Sequence, residues 1–262
     1  MSDAWLRALV ALPLGLAIGS FMTVVVARVP AGESVLHPRS KCPKCGAEIR
    51  DRDNIPVLGW ALLRGRCRGC GERISVSYPL TELGTALLVC AAMYTYERIW
   101  VGIMVAALMA ILPAISIIDI QHKLIPNKIT YPAAIGFAVY IVVATLFDGG
   151  TNLVGAGLGL LLYGGSLLIL AFISRGMGMG DAKLGVVIGM VFGAIGLRYV
   201  GVAVAGAILF GGIGGIAALL IGRDRKSSIP FGPYMAAGAV IAAFWGQQIA
   251  DWYLRTFAGV SS

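Results

Sequence analysis

Two aspartates stand out by where they sit. Asp119 ends an apolar run in Ser116-Ile-Ile-Asp119-Ile-Gln-His-Lys, and Asp181 opens another in Gly176-Met-Gly178-Met-Gly180-Asp181-Ala-Lys183. Ionisable groups in apolar surroundings are costly enough to imply function by default. The chemistry that needs two carboxylates is acid–base activation of water. Two like charges held close cannot both ionise, so one carboxyl keeps its proton and polarises a carbonyl while the other takes a proton from the attacking water. Gly178 and Gly180 let backbone approach an extended substrate, and with Lys183 they are expected to form the loop that supports the carboxylate. Position alone leaves other roles open. Such an aspartate can cap its helix or pair with Lys123 or Lys183, and intramembrane carboxylates also serve ion and proton pathways. Glu82, near the start of another apolar run, has similar status. No Gly-x-Ser-x-Gly and no triad-like His appears, so a serine nucleophile has no support.

Four of the five cysteines form a second constellation, Cys42-Pro-Lys-Cys45-Gly and, after 21 intervening residues, Cys67-Arg-Gly-Cys70-Gly. Each pair makes a knuckle whose spacing aims both sulfurs at one ion, with the following Gly permitting the tight turn. Two knuckles build a tetrahedral all-thiolate shell, the closed geometry of structural zinc or another thiophilic metal. The alternative is two disulfides or plain buried thiols. Cys90 lies alone inside an apolar run and reads as a small apolar residue.

These residues must be positioned by a very apolar chain. Of its 262 residues 58% are hydrophobic and 13% charged, with mean hydropathy +0.84. Soluble domains carry roughly 25% charged residues, so no polar surface remains to cover a soluble core. The expectation is an all-α polytopic membrane protein. Eight apolar runs are candidate spans: Trp5–Ala27, Leu80–Tyr96, Trp100–Ile120, Tyr131–Phe147, Leu153–Ile173, Leu184–Leu197, Tyr199–Ile221 and Phe231–Leu254. The first is too long for a signal peptide and lacks a cleavage pattern, so it reads as a retained helix. The sixth is short, and the Gly-rich stretch before it is expected to supply its first turn. Glycines at helix-packing spacing, as in Gly155-Ala-Gly157-Leu-Gly159, Gly164-Gly165 and Gly211-Gly212-Ile-Gly214-Gly215, predict close helix contacts in lipid.

The net charge of +8 suggests nucleic acid, but its distribution argues against that partner. With Arg28–Pro79 in the cytosol, the cytosolic segments hold 17 of the 21 basic residues, and only Arg7, Arg98, Arg198 and Arg255 fall on the other side. That asymmetry is the positive-inside pattern, and it puts Asp119 and Asp181 at the same, cytosolic, ends of their helices. It also puts the cysteines in a reducing compartment, where disulfides do not persist. The expected domains are residues 1–27 as the first transmembrane helix, 28–79 as a cytosolic four-cysteine zinc domain, and 80–262 as a membrane-embedded core. A polar insert of this size needs a metal staple, because its own apolar core is marginal.

Gly178-Met-Gly180-Asp181 matches the Gly-x-Gly-Asp signature of intramembrane aspartic proteases, and the wider sequence resembles the type IV prepilin peptidases, or leader peptidases. The resemblance runs from Gly19-Ser20-Phe21-Met22-Thr23-Val24-Val25 and Arg28-Val-Pro30 through Asn54-Ile55-Pro56-Val57-Leu58-Gly59-Trp60, Arg64-Gly65-Arg66-Cys67 and Tyr78-Pro79-Leu80-Thr81-Glu82-Leu83. Asp119 heads a segment similar to the family's Asp-x-Asp-x-x-x-Leu-Pro-Asp, and Ile229-Pro230-Phe231-Gly232-Pro233-Tyr234 resembles its C-terminal loop. Gln121 and Asn127 replace that segment's later aspartates, and Thr23 stands where the family usually has Asn.

The resemblance implies a peptidase of the cell (inner) membrane with Asp119 and Asp181 as the catalytic pair. Its substrate would be a type IV prepilin or pseudopilin, whose short basic leader is removed at the cytosolic face of the bilayer. It further implies S-adenosylmethionine-dependent N-methylation of the new N-terminus. No Rossmann-like domain is visible, so that site would be built from the insert and the membrane face. Glu33, Trp60, Arg64 and Glu82 are the expected contributors: a carboxylate facing the sulfonium, an Arg holding the ligand carboxylate, Trp60 stacking on adenine. Folding the insert is their alternative role. Two other function classes remain on the residues alone. One is a transporter using both aspartates as ion ligands, the other a zinc-ribbon scaffold that docks assembly factors.

Overall fold

A computed structural model describes residues 3–147, 150–173, 178–221 and 230–257. Its regular structure is helical: α1 Asp3–Arg28, the short α2 Leu58–Leu62, α3 Ser77–Thr95, α4 Ile99–His122, α5 Asn127–Phe147, α6 Leu153–Leu160, α7 Ser166–Ile173, α8 Met179–Ile195, α9 Leu197–Leu220 and α10 Gly232–Phe257. A π turn over Leu161–Gly165 joins α6 to α7 without a break, so Leu153–Ile173 runs as one rod. Every apolar run of the sequence has become a helix. Among the described residues, five rods are long and apolar enough to cross a membrane: α1, α4, α5, α6–α7 and α9. Of the other three expected spans, α8 has 17 residues, while α3 and α10 carry more polar side chains, such as Thr81, Glu82, Gln247, Gln248 and Asp251.

α4 is the centre. Met104, Leu108, Leu112, Ile115 and Ile118 are fully buried, so a helix apolar on all sides is surrounded by others. It packs against α1, α3, α8 and α10. Glycine governs how closely the remaining pairs approach. Gly155 and Gly159 of α6 lie directly on the Gly193 and Gly189 carbonyls of α8, leaving no room for a Cβ on either side. Gly206 of α9 meets Gly238 of α10 in the same way, and Gly15 and Gly19 seat α1 on Ala86 and Glu82 of α3. In lipid, where burial itself supplies little drive, such backbone contact is what packing depends on. Gly157, Gly165, Gly212 and Gly215, equally suggestive in sequence, face open space.

The insert is pinned to this bundle at defined points. Glu82, buried one turn into α3, accepts a hydrogen bond from the Val57 amide at 2.6 Å. That bond fixes the start of α2 against the first turns of α3. Trp60 donates its indole N–H to the Ile74 carbonyl at 3.1 Å and lays its ring against Gly65. The Lys128 ammonium of α5 reaches the Gly32 carbonyl at 3.5 Å.

Candidate active site

Asp119 lies in the last turn of α4. The helix stops at His122 because Lys123 turns left-handed, with its amide still bonded to the Asp119 carbonyl at 2.8 Å. Ile125 and Pro126 follow as buried residues before α5 begins. Asp181 lies in the first turn of α8, whose entry is Gly178 in extended conformation. What brings the two turns together is Gly180. A Cβ there would stand 2.9 Å from the Ile125 Cβ, so only glycine lets the start of α8 seat on the α4–α5 connection.

Both carboxyls are buried, Asp119 at 4% exposure and Asp181 at 9%, and they are near enough that the charge of Asp119 acts on Asp181. Sequence put them 62 residues apart. Beside the pair, Gly178 and Met179 are exposed. Asp119 is held by the Gly232 amide, which donates to its Oδ2 at 2.8 Å. A Cβ on Gly232 would lie 2.9 Å from that oxygen, so this glycine is required for the approach. The Pro-Phe-Gly-Pro stretch containing it resembled a family loop, but nothing in the sequence marked Gly232 as the donor. Lys183 does not pair with Asp181. Its ammonium donates to Asn127 Oδ1 at 2.7 Å and sits 5.0 Å over the Tyr131 ring, tying α8 to α5. Asn127, one of the departures from the family pattern, thus serves as that tie. Gln121 is exposed, and Thr23 spends its hydroxyl on the Ser20 carbonyl within α1.

The four insert cysteines converge as their spacing predicted. Their sulfurs lie within 4.8 Å of one another, with Cys42–Cys70 at 3.9 Å and Cys45–Cys67 at 4.0 Å. A tetrahedral zinc with Zn–S near 2.3 Å sets sulfurs about 3.8 Å apart, so the donor set fits that ion. The two knuckles repeat each other. Cys42 N–H bonds Ala47 O and Cys67 N–H bonds Glu72 O, while Gly46 and Gly71 take φ of +71° and +72° to close the turns. Lys44 of one knuckle pairs with Glu72 of the other. The backbone N–H groups of Cys45 and Lys44 draw the Cys42 thiol down to about 7. The Glu72 amide favours the Cys70 thiolate, but desolvation and the neighbouring thiols outweigh it and push Cys70 up to about 11. Four sulfurs this close would all be thiolates only around a bound cation. Arg68 clamps Asp53 with two bonds of 2.8 and 2.6 Å and holds that carboxyl below the usual carboxylate range.

The residues expected to hold a methyl donor differ in their surroundings. Glu33 and Arg64 are exposed, while Glu82 and Trp60 are engaged inside the fold, and no hydrogen bond or ion pair joins the four among the described residues.

Residues 14–96 match the family described as Bacterial Peptidase A24 N-terminal domain, and residues 106–216 match the Type IV leader peptidase family. Proteins named prepilin leader peptidase/N-methyltransferase are similar along nearly the whole chain. The Aeromonas hydrophila protein is 33% identical over 97% of this chain and 96% of its own length. The chain belongs to the type IV leader peptidase family. Family relatives of the same name from Bacillus subtilis (strain 168) and Pseudomonas aeruginosa are 33% and 34% identical, over 94% of this chain and 97% and 92% of theirs. No solved structure matches. Both boundaries of the family matches suit the geometry: the first contains the knuckles and Glu82, the second contains Asp119 and Asp181.

Proposed function

We propose that this protein is a membrane aspartic endopeptidase that removes the basic leader from type IV prepilins or pseudopilins, with Asp119 and Asp181 as the catalytic pair. The observation that carries the reading is the meeting of two buried carboxyls at the end of α4 and the start of α8. One carboxyl keeps its proton and donates it as a hydrogen bond to the scissile carbonyl oxygen. The other accepts a proton from water as the water oxygen bonds to the carbonyl carbon. Collapse of the tetrahedral intermediate breaks the C–N bond, and the proton passes to the leaving amine. Passing that proton on to the amine returns each carboxyl to its starting state. The Gly232 amide orients Asp119, and the exposed Gly178–Met179 stretch is where extended substrate backbone would approach.

The bilayer partner is read from the apolar helices, with eight spans, the insert and active site on the cytosolic side, and the cell (inner) membrane as the location. Zinc would be held by Cys42, Cys45, Cys67 and Cys70, a closed shell that stabilises residues 28–79 and leaves no position for catalysis. The relatives' name includes N-methyltransferase, and the amine released by cleavage is the acceptor this reading gives it. S-adenosylmethionine, when bound, supplies an electrophilic methyl group to it. Glu33 and Arg64 are the exposed charges suited to face that ligand, while Glu82 and Trp60 shape the platform beneath. Purified protein incubated with a prepilin, with and without S-adenosylmethionine and read by mass spectrometry, tests both steps. The expected products are a shortened pilin in both samples and one added methyl group only with the donor. An intact prepilin in both would reject the reading.

A further inference from the structure

Tyr163 lies in the π turn between α6 and α7 and is 1% exposed, yet its hydroxyl has no hydrogen-bond partner among the described residues. The fold satisfies comparable phenols elsewhere. Tyr96 donates to the Ala243 carbonyl at 2.7 Å and Tyr140 to the Trp100 carbonyl at 2.8 Å. A buried, unpaired hydroxyl is costly enough that native folds keep few of them, and those few call for a reason. π turns are themselves rare and concentrate at functional sites.

The surroundings supply the reason. A Cβ on Gly189 would meet the Tyr163 Cβ at 2.9 Å, and Gly185 packs on Gly164. Asp181, Gly185 and Gly189 follow at intervals of four along α8, so Tyr163 sits on the helix face that carries Asp181. Its hydroxyl feels the charge of that aspartate. The glycines bring the two backbones together one and two turns along α8 from Asp181.

We propose that the Tyr163 hydroxyl is a positioning donor for Asp181, bonding its carboxyl when substrate closes the site and holding it in the orientation that faces Asp119. Catalytic hydrogen bonds are commonly long in the free enzyme and tighten in the substrate complex. The inference rests on Asp119 and Asp181 being the catalytic pair. Tyr163 touches no reacting atom; it acts through Asp181. The unpaired hydroxyl in the free protein is then stability given up for that role.

The test is Tyr163→Phe in the full chain, reconstituted in lipid vesicles and assayed with a prepilin, alongside thermal unfolding. The expected result is a Tm equal to or above that of the parent, since an unpaired buried hydroxyl is gone, together with a fall in kcat of about tenfold at unchanged KM. Unchanged kcat would overturn the proposal, and so would a lowered Tm with activity lost in proportion to folded protein, which would make Tyr163 a packing residue. Asp181→Asn, run in parallel, separates this outcome from the underlying reading: cleavage by that variant rejects the catalytic pair whatever Tyr163→Phe does.

Discussion

At the scale of single residues, the site depends on contacts that only glycine allows. Gly232→Ala would press a methyl group against Asp119 Oδ2 and displace the amide that orients it. A misplacement of this kind costs roughly 10–100-fold in rate, so kcat for leader cleavage should fall by that factor while the protein remains folded by thermal unfolding. The two aspartates were legible from sequence because carboxylates against apolar runs are conspicuous. Gly232 was not, since its contribution is a backbone N–H 113 residues away from its acceptor. A backbone donor leaves no mark in side-chain chemistry. Lys183 was read as a possible partner of Asp181, but nothing local could show that Asn127, at the start of α5, would receive it.

Elements were legible in proportion to their hydropathy. All eight apolar runs became helices, but α8 begins at Met179 and not at Leu184, as the Gly-rich stretch suggested, which places Asp181 inside the first turn. Glycine spacing identified a packing habit without identifying which glycines pack. Gly159→Val should drive two extra methyl groups and a Cβ into the Gly189 carbonyl and destabilise the α6–α8 pair by roughly 1–3 kcal/mol, read as a lower Tm in detergent. Gly157→Ala, two residues away in open space, should leave Tm unchanged. The convergence of the four cysteines was legible because ligand spacing is a local property. Cys70→Ser should release the metal and unfold the insert. Metal analysis should give one zinc per parent chain and far less for the variant, with methylation failing before cleavage. Acidification should release the same ion, because protons compete for the four thiolates.

At the scale of the whole molecule, the insert and the membrane core meet through Glu82, whose carboxylate accepts from the Val57 amide 25 residues earlier. That hydrogen bond offsets the cost of burying Glu82 near a helix start, and the sequence offered no way to choose between that tie and a ligand role. Glu82→Ala should leave the Val57 amide unpaired and speed hydrogen exchange across Val57–Leu62, with zinc still bound. Glu82→Gln, which keeps an acceptor oxygen, should restore protection. If Gln restores protection but not methylation, the charge itself serves the second reaction. Asp119 and Asp181 are the point at which residue, element and molecule converge, because α4, α8, the α4–α5 connection and the start of α10 must all be in place for the two carboxyls to meet. The most direct measurement is leader cleavage of a prepilin by Asp119→Asn, Asp181→Asn and the double variant, each shown to be folded, with products read by mass spectrometry. The account predicts no shortened pilin from either single variant, and a double variant no worse than the singles, because the pair works as a unit. Shortened pilin from a folded Asp119→Asn or Asp181→Asn protein at near-parent rate would contradict it.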